Sequence, residues 1–154
     1  MTKIRSRIEI HAPPEQVWVF VADPVLESAW NPKMVGISRA IEGPVSQGER
    51  FELEYEMSGK RSRCEAEVLE AQPPVRLVYR YRLLDEKRPV AARVMYTLED
   101  RRGATRLVQT IDLGEMGIPW PLRALIWFVT RFGKDAGVPY LQELKNQVEA
   151  IEAG

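Results

Sequence analysis

The sequence contains little of the chemistry on which disulfides and metal sites depend. Its 154 residues include a single cysteine, Cys64, and a single histidine, His11. One cysteine cannot form an internal disulfide, and a closed zinc site draws on several cysteine or histidine ligands. We therefore predict no metal and no cofactor. His11 lies beside two prolines and far along the chain from Cys64, so the pattern also predicts no catalytic cysteine–histidine pair.

The sequence has no excess of charge of either sign. Its 22 Lys and Arg residues equal its 22 Asp and Glu residues. Because nucleic-acid binding rests largely on an excess of basic residues, we predict no nucleic-acid partner. The N-terminal residues MTKIRSRIEI alternate charged and apolar side chains and lack the apolar core of a signal peptide. The expected location is therefore the cytoplasm.

No apolar run is long enough to cross a membrane. The most apolar stretch is IPWPLRALIWFVTRFG, residues 118–133, which contains Arg123 and Arg131. A spanning helix needs about 20 predominantly apolar residues. The spacing instead predicts an amphipathic helix that begins near Trp120, is broken near Pro139 and then continues, with an apolar stripe facing the rest of the protein.

In most of the remaining chain, apolar and polar residues alternate with a period of two. Lys3 to Ile10 reads as a half-buried strand, and two short helices are predicted at Gln16–Ala22 and Leu26–Trp30. Five further alternating segments follow, with apolar members at Phe51–Met57, Ser62–Val68, Leu77–Tyr81, Val94–Leu98 and Leu107–Ile111. Turns are predicted at Arg102-Gly103 and at Gly59-Lys60, the latter pairing Tyr55 with Cys64 and Glu56 with Arg63. We predict one α+β domain over residues 1–154.

Two segments resemble a known family. The stretch IEIHAPPEQVWVFVADPVLESAWNP, residues 8–32, and the closing segment LQELKNQVE, residues 141–149, resemble the START-related (SRPBCC) superfamily, in particular its polyketide cyclase/dehydrase branch. The resemblance implies a helix-grip fold, in which a seven-stranded antiparallel sheet curls round a long C-terminal helix, with two short helices after the first strand. It also implies a cavity between sheet and helix for a hydrophobic or aromatic small molecule.

The candidate ligand-binding residues lie on the inward side of the strands. Tyr55, Tyr79, Tyr81 and Tyr96 share that side with Gln109, opposite small residues, and a pocket lined by rings with a few hydroxyl groups is typical of small-ligand sites. The alternative is that the tyrosine hydroxyls reach solvent at the open end of the sheet. No carboxylate falls on the inward side of the clear strands, so we predict no catalytic residue. The remaining predicted lining residues are Trp30, Phe51, Met57, Cys64, Phe128, Val129 and Phe132.

Three functions are consistent with this pattern. The first is binding or carriage of an apolar, aromatic or lipid-like molecule. The second is an enzyme resembling the polyketide cyclases and aromatases, with tyrosines polarising carbonyl groups. The third is a peripheral membrane carrier that docks through Trp120 and Trp127, which lie on the polar side of the predicted helix. Three other roles remain open to these tryptophans: packing, ligand gating, and contact with a protein such as a second copy of the chain.

Overall fold

The computed structural model describes residues 3–31, 34–57, 60–84, 90–113 and 139–153. In chain order the elements are β1 (Lys3–Ile10), α1 (Pro14–Ala22), α2 (Pro24–Trp30), β2 (Met34–Ser38), β3 (Arg50–Met57), β4 (Lys60–Gln72), β5 (Arg76–Leu83), β6 (Val90–Arg101), β7 (Ala104–Asp112) and α3 (Pro139–Ala153). The seven strands form one antiparallel sheet in the order β1-β7-β6-β5-β4-β3-β2. The predicted α+β helix-grip class is confirmed.

Both short helices begin at prolines, two residues before the apolar-spaced segments from which they were predicted. Pro14 and Pro24 occupy first turns, where a missing backbone N–H costs nothing. Asp23 lies between the helices, and its Oδ1 accepts a hydrogen bond from the Val25 N–H at 3.0 Å. This side-chain cap satisfies a donor at the start of α2 and fixes the corner between α1 and α2.

The inward and outward sides of the strands are as predicted. On β5 and β6 the alternating residues Leu77, Tyr79 and Tyr81 and Val94, Tyr96 and Leu98 are buried. We call this buried side the inner face of the sheet. The predicted Arg102-Gly103 turn is also confirmed, since it joins β6 to β7 with both residues at positive φ.

The predicted register of the β3–β4 hairpin is wrong by two residues. Tyr55 pairs with Ser62 instead of Cys64, and Glu56 pairs with Arg61 instead of Arg63. A shift of two residues leaves every side chain on its own side of the sheet, so alternation alone cannot detect it. The observed register places two glutamates, Glu52 and Glu65, opposite each other. Arg82 on β5 reduces their mutual repulsion, because its Nη2 donates a hydrogen bond to Glu65 at 3.1 Å.

Helix α3 packs on β1 and on the two short helices. Its buried stripe is Leu141, Leu144 and Val148, as the spacing predicted. Lys145 Nζ donates to the Glu9 carbonyl oxygen at 2.9 Å, and the His11 N–H donates to the Glu149 carboxylate at 2.9 Å. These bonds fasten α3 to the end of the first strand. The predicted helix around residues 118–133 lies outside the described residues.

Candidate functional site

Most of the predicted lining residues come together on the inner face. Tyr79, Tyr81, Tyr96 and Gln109 are buried, and Tyr55 is half-buried. Phe51 and Cys64 are buried beside them, and Trp30 reaches the core from α2. Four predicted members cannot be placed, because the side chain of Met57 and the whole of Phe128, Val129 and Phe132 lie outside the described residues.

The tyrosine rings form one continuous aromatic group. The rings of Tyr79 and Tyr81 stack with centroids 5.3 Å apart, and the ring of Tyr55 meets that of Tyr81 edge-on at 5.8 Å. Tyr81 is flanked on the neighbouring strands by Ala66 and Ala92. The predicted juxtaposition of large aromatic and small side chains is therefore present around Tyr81.

A buried carboxyl group lies beside these tyrosines and was not among the predicted site residues. Glu27 on α2 is only 1% exposed. The prediction of no inward acid concerned the strands, whereas Glu27 lies on a seven-residue helix. The signal was present in the helical spacing, since Glu27 precedes the apolar Trp30 by three residues and therefore shares its side of the helix.

Glu27 is held by two hydrogen bonds, and no basic side chain of the described residues is among the groups that shift its pKa. The side chains of Asn31 and Tyr96 both hydrogen-bond to its carboxyl group and favour the ionised form. Burial opposes them more strongly and raises the pKa of Glu27 to about 8, since an ion is poorly solvated in the interior. At neutral pH the carboxyl group is therefore mostly protonated.

A chain of hydrogen bonds runs from the sheet to this carboxyl group. Gln109 Nε2 on β7 donates to the Tyr96 hydroxyl oxygen on β6 at 3.0 Å. The Tyr96 hydroxyl in turn bonds to Glu27. Gln109 thus positions Tyr96, and the costly burial of its amide is offset at least in part by this bond.

Three buried oxygen atoms have no hydrogen-bond partner among the described residues. They are Glu27 Oε1 and the hydroxyl oxygens of Tyr79 and Tyr81. Tyr79 is fully buried and Tyr81 is 8% exposed. The pKa of both phenols is raised well above the ordinary value, chiefly by burial and next by Glu27. We call Glu27, Tyr79, Tyr81, Tyr96 and Gln109 the polar cluster.

Trp30 has a structural contact of its own. Its indole Nε1–H donates to the Phe20 carbonyl oxygen at 2.9 Å, and the side chain is 1% exposed. This bond joins α2 to α1 and holds the segment that carries Glu27. The contact accounts for the packing role of Trp30.

A second, half-buried polar pair lies just after the end of β2, close enough to the polar cluster to act electrostatically on Tyr79. Arg39 donates to Glu49 through Nε and through Nη2, the latter at 3.0 Å, and its Nη1 donates to the Gly43 carbonyl oxygen. Its guanidinium carbon also lies 5.9 Å from the centre of the Phe51 ring. This hydrogen-bonded pair lowers the pKa of Glu49 and raises that of Arg39.

The parts of the chain that the structure describes contain no cluster of three metal-binding side chains. Within the same ranges, no helix is long and apolar enough to cross a membrane.

Solved structures with the same fold come from several bacteria. The protein CV1439 from Chromobacterium violaceum is 23% identical, with a TM-score of 0.67 and coverage of 96% of this chain and 97% of that chain. A START superfamily protein from Mycobacterium smegmatis is 15% identical, with a TM-score of 0.67 and coverage of 97% and 98% respectively. A conserved protein from Geobacillus kaustophilus is 13% identical, with a TM-score of 0.67 and coverage of 96% and 95%.

At these identities the solved structures show a shared fold and nothing about a ligand. No curated protein matches the chain. The family described as polyketide cyclase/dehydrase and lipid transport matches residues 1–149, which is nearly the whole sequence. The chain therefore belongs to the polyketide cyclase/dehydrase and lipid transport family.

Proposed function

We propose that the protein binds an apolar small molecule between the inner face of the sheet and the C-terminal helix. The family and the fold fit ligand binding in a cavity of this kind. The observation that supports it most directly is the set of three buried oxygen atoms, Glu27 Oε1 and the Tyr79 and Tyr81 hydroxyls, that lack partners among the described residues.

The energetic argument starts from the cost of burying polar groups. A buried hydroxyl without a partner costs about 1–3 kcal/mol relative to one that is hydrogen-bonded. Phenylalanine in place of Tyr79 or Tyr81 would keep the ring stacking and avoid that cost. Hydroxyl groups held among aromatic rings are instead well suited to a ligand with an apolar body and a small polar end.

The proposed lining combines the two sides of the site. The sheet contributes the tyrosines, Gln109, Phe51 and Cys64, and α2 contributes Glu27 beside Trp30. The proposed lining also includes four residues that are predicted from the sequence alone, namely Met57, Phe128, Val129 and Phe132. Contact of Trp120 and Trp127 with a membrane or with a second copy of the chain stays a prediction, as does a cytoplasmic location.

Native mass spectrometry of the freshly purified protein tests binding directly. We expect the folded protein to carry extra mass that disappears on denaturation, and solvent extraction of the same sample to release an apolar compound. A double variant, Tyr79→Phe with Tyr81→Phe, should retain less of that compound because it removes two polar contacts. An apo mass in every preparation, together with no uptake of any aromatic probe, would contradict the proposal.

A second candidate function is cyclisation and dehydration of a poly-ketone chain. Glu27 favours it, because a carboxyl group with a pKa of about 8 can both give and take a proton near neutral pH. The expected result is turnover of a keto substrate that falls by about 100-fold or more in Glu27→Gln. Turnover that is unchanged in this variant would argue against catalysis by the polar cluster.

A further inference from the structure

The outer face of the sheet, opposite the inner face, carries charge of opposite sign towards its two edges. On the edge strand β1 the side chains that point away from the core are Lys3, Arg5 and Arg7, which we call the basic strip. On β3, next to the other edge, three alternate glutamates from Glu52 to Glu56 point the same way. The equal totals of acidic and basic residues in the sequence therefore conceal a separation of charge across the sheet.

The basic strip is exposed, and none of its side chains forms an ion pair with a described residue. The residues opposite Arg5 and Arg7 on the neighbouring strand β7 are Thr110 and Val108, both uncharged. No carboxylate therefore lies directly across the strand pair from either guanidinium group. The charge of these two arginines is not neutralised by the part of the chain that the structure describes.

The acids that lie near the basic strip on the outer face face other cations as well. Glu9, the next outward residue of β1, accepts a hydrogen bond from Arg106 Nη2 at 3.3 Å. Asp112 on β7 is the cross-strand neighbour of both Lys3 and Arg93, so one carboxylate faces two cations. This side of the outer face therefore keeps a net positive charge.

An uncharged band lies beside the basic strip on the same face. Met95 and Thr97 on β6 pair with Thr110 and Val108 of β7, and Val78 on β5 pairs with Met95. We call these five residues the uncharged band. Because the band contains no acid, a negatively charged surface can approach the basic strip across it without repulsion.

We propose that the basic strip and the uncharged band form a docking surface for a membrane that contains anionic lipids. Each Lys or Arg that lies near an anionic bilayer adds to the binding free energy. A bilayer presents its anionic headgroups over a broad surface, so it can contact all the outward side chains of an eight-residue strand at once. This surface goes beyond the proposed binding function and does not depend on it. A protein docked in this way lies next to the phase in which an apolar ligand dissolves.

The docking surface suits a bilayer better than a nucleic acid. Proteins that bind single strands stack the bases on aromatic side chains, and neither the basic strip nor the uncharged band contains an aromatic residue. Duplex DNA is read by a helix or a two-stranded ribbon that enters a groove, whereas this surface lies on one face of a seven-stranded sheet. Anionic headgroups need neither feature, since exposed positive charge is sufficient to attract them.

Vesicle flotation tests the docking surface on the full chain without an added ligand. The probes are vesicles of phosphatidylcholine alone and vesicles that also contain about 30% phosphatidylserine, an anionic lipid. At about 0.05 M NaCl we expect at least tenfold tighter binding to the anionic vesicles, and loss of most of that binding at about 0.5 M, because salt screens exposed charges. Equal binding to both kinds of vesicle, or binding to neither, would overturn the inference.

Two double variants with the same loss of charge locate the surface. Arg5→Gln with Arg7→Gln should weaken binding to the anionic vesicles about 20-fold, since each basic residue near such a bilayer contributes about a factor of five. Arg50→Gln with Arg61→Gln removes two arginines of β3 and β4, whose side chains are 63% and 67% exposed, and should bind as the wild-type protein does. Equal losses in the two variants would show that net charge alone governs binding and would overturn the inference.

Two further outcomes would assign the contact elsewhere and so contradict the inference. Binding that survives in Arg5→Gln with Arg7→Gln but is lost in Trp120→Ala with Trp127→Ala would place the contact on those tryptophans. Release of the wild-type protein from anionic vesicles by duplex DNA at the same phosphate concentration would assign the basic strip to a nucleic acid, whereas we expect the protein to stay bound. Native mass spectrometry of a retained ligand does not enter this test, so this inference and the proposed binding function can fail separately.

Discussion

Glu27 and Glu49 are both glutamates withdrawn from solvent, yet their surroundings shift their pKa values in opposite directions. Glu27 is 1% exposed, receives hydrogen bonds from Asn31 and Tyr96, and has a pKa raised to about 8. The side chain of Glu49 is 12% exposed and pairs with the Arg39 guanidinium, which lowers its pKa. Both carboxyl groups have hydrogen-bond donors, so the presence of a cation and the depth of burial make the difference.

The contrast separates a structural role from a binding role. The Arg39–Glu49 pair satisfies itself and links the end of β2 to the segment before β3. Glu27 keeps one oxygen without a partner among the described residues, and the hydroxyls of the nearby Tyr79 and Tyr81 are in the same condition. The Arg39–Glu49 pair satisfies its own hydrogen bonds. In the polar cluster, by contrast, a bound ligand would supply partners for oxygen atoms that have none among the described residues.

The largest expected effect is on the pH dependence of stability. Folded Glu27 keeps its proton up to a pKa of about 8, whereas unfolded Glu27 releases it near 4.5. Its contribution is therefore fully present below pH 4.5 and is lost as pH rises towards 8, by up to about 1.4 kcal/mol per pH unit. Urea unfolding from pH 5 to 8 should show this fall in the wild-type protein and a flatter profile in Glu27→Gln.

The exposed Glu15 offers the matched control for that measurement. Glu15→Gln should keep the wild-type slope, since this side chain is solvated in both states. Parallel pH profiles for the wild-type protein and Glu27→Gln would show that Glu27 is ionised in the folded protein at neutral pH, and would remove the contrast with Glu49.

The second-largest effect on stability is expected from breaking the Arg39–Glu49 pair. Glu49→Gln leaves the Arg39 guanidinium, whose side chain is 3% exposed, without its counter-charge, and should lower the free energy of unfolding by about 2 kcal/mol. Glu67→Gln breaks an exposed pair with Arg50 and should lower it by less than about 1 kcal/mol. Urea titration at pH 7 compares the two variants, and equal losses would refute the structural role of the Arg39–Glu49 pair.

The smallest effect separates the bonded tyrosine from the unpartnered ones. Tyr96→Phe removes a hydroxyl that bonds to Gln109 and Glu27, and should lower the free energy of unfolding by about 1–2 kcal/mol. Tyr81→Phe removes an oxygen without a partner among the described residues and should leave the stability of the ligand-free protein unchanged or slightly raised. Thermal unfolding of the ligand-free proteins measures both, and a comparable loss in Tyr81→Phe would show that its hydroxyl is already satisfied.

Sequence reasoning succeeded where a regular period applies over many residues. The inward set on β5 and β6, including Tyr79, Tyr81 and Tyr96, followed from alternation alone, because successive side chains of a strand point to opposite sides. The same reasoning missed the β3–β4 register, since shifting the pairing by two residues preserves the alternation. It missed Glu27 because its search for acids covered the strands and left out the short helix α2.

The sequence by itself determined the strand and helix order, the family, and the side of the sheet on which the tyrosines lie. These properties follow from local periodicity and from motifs that need no knowledge of distant neighbours. Only the tertiary structure decided that α2 brings Glu27 against Tyr96, that Gln109 supports this contact, and that Tyr79 and Tyr81 lack such partners among the described residues. The pKa of Glu27 and the donors offered to a ligand depend on burial and on neighbours from several elements, which come together only in the folded chain.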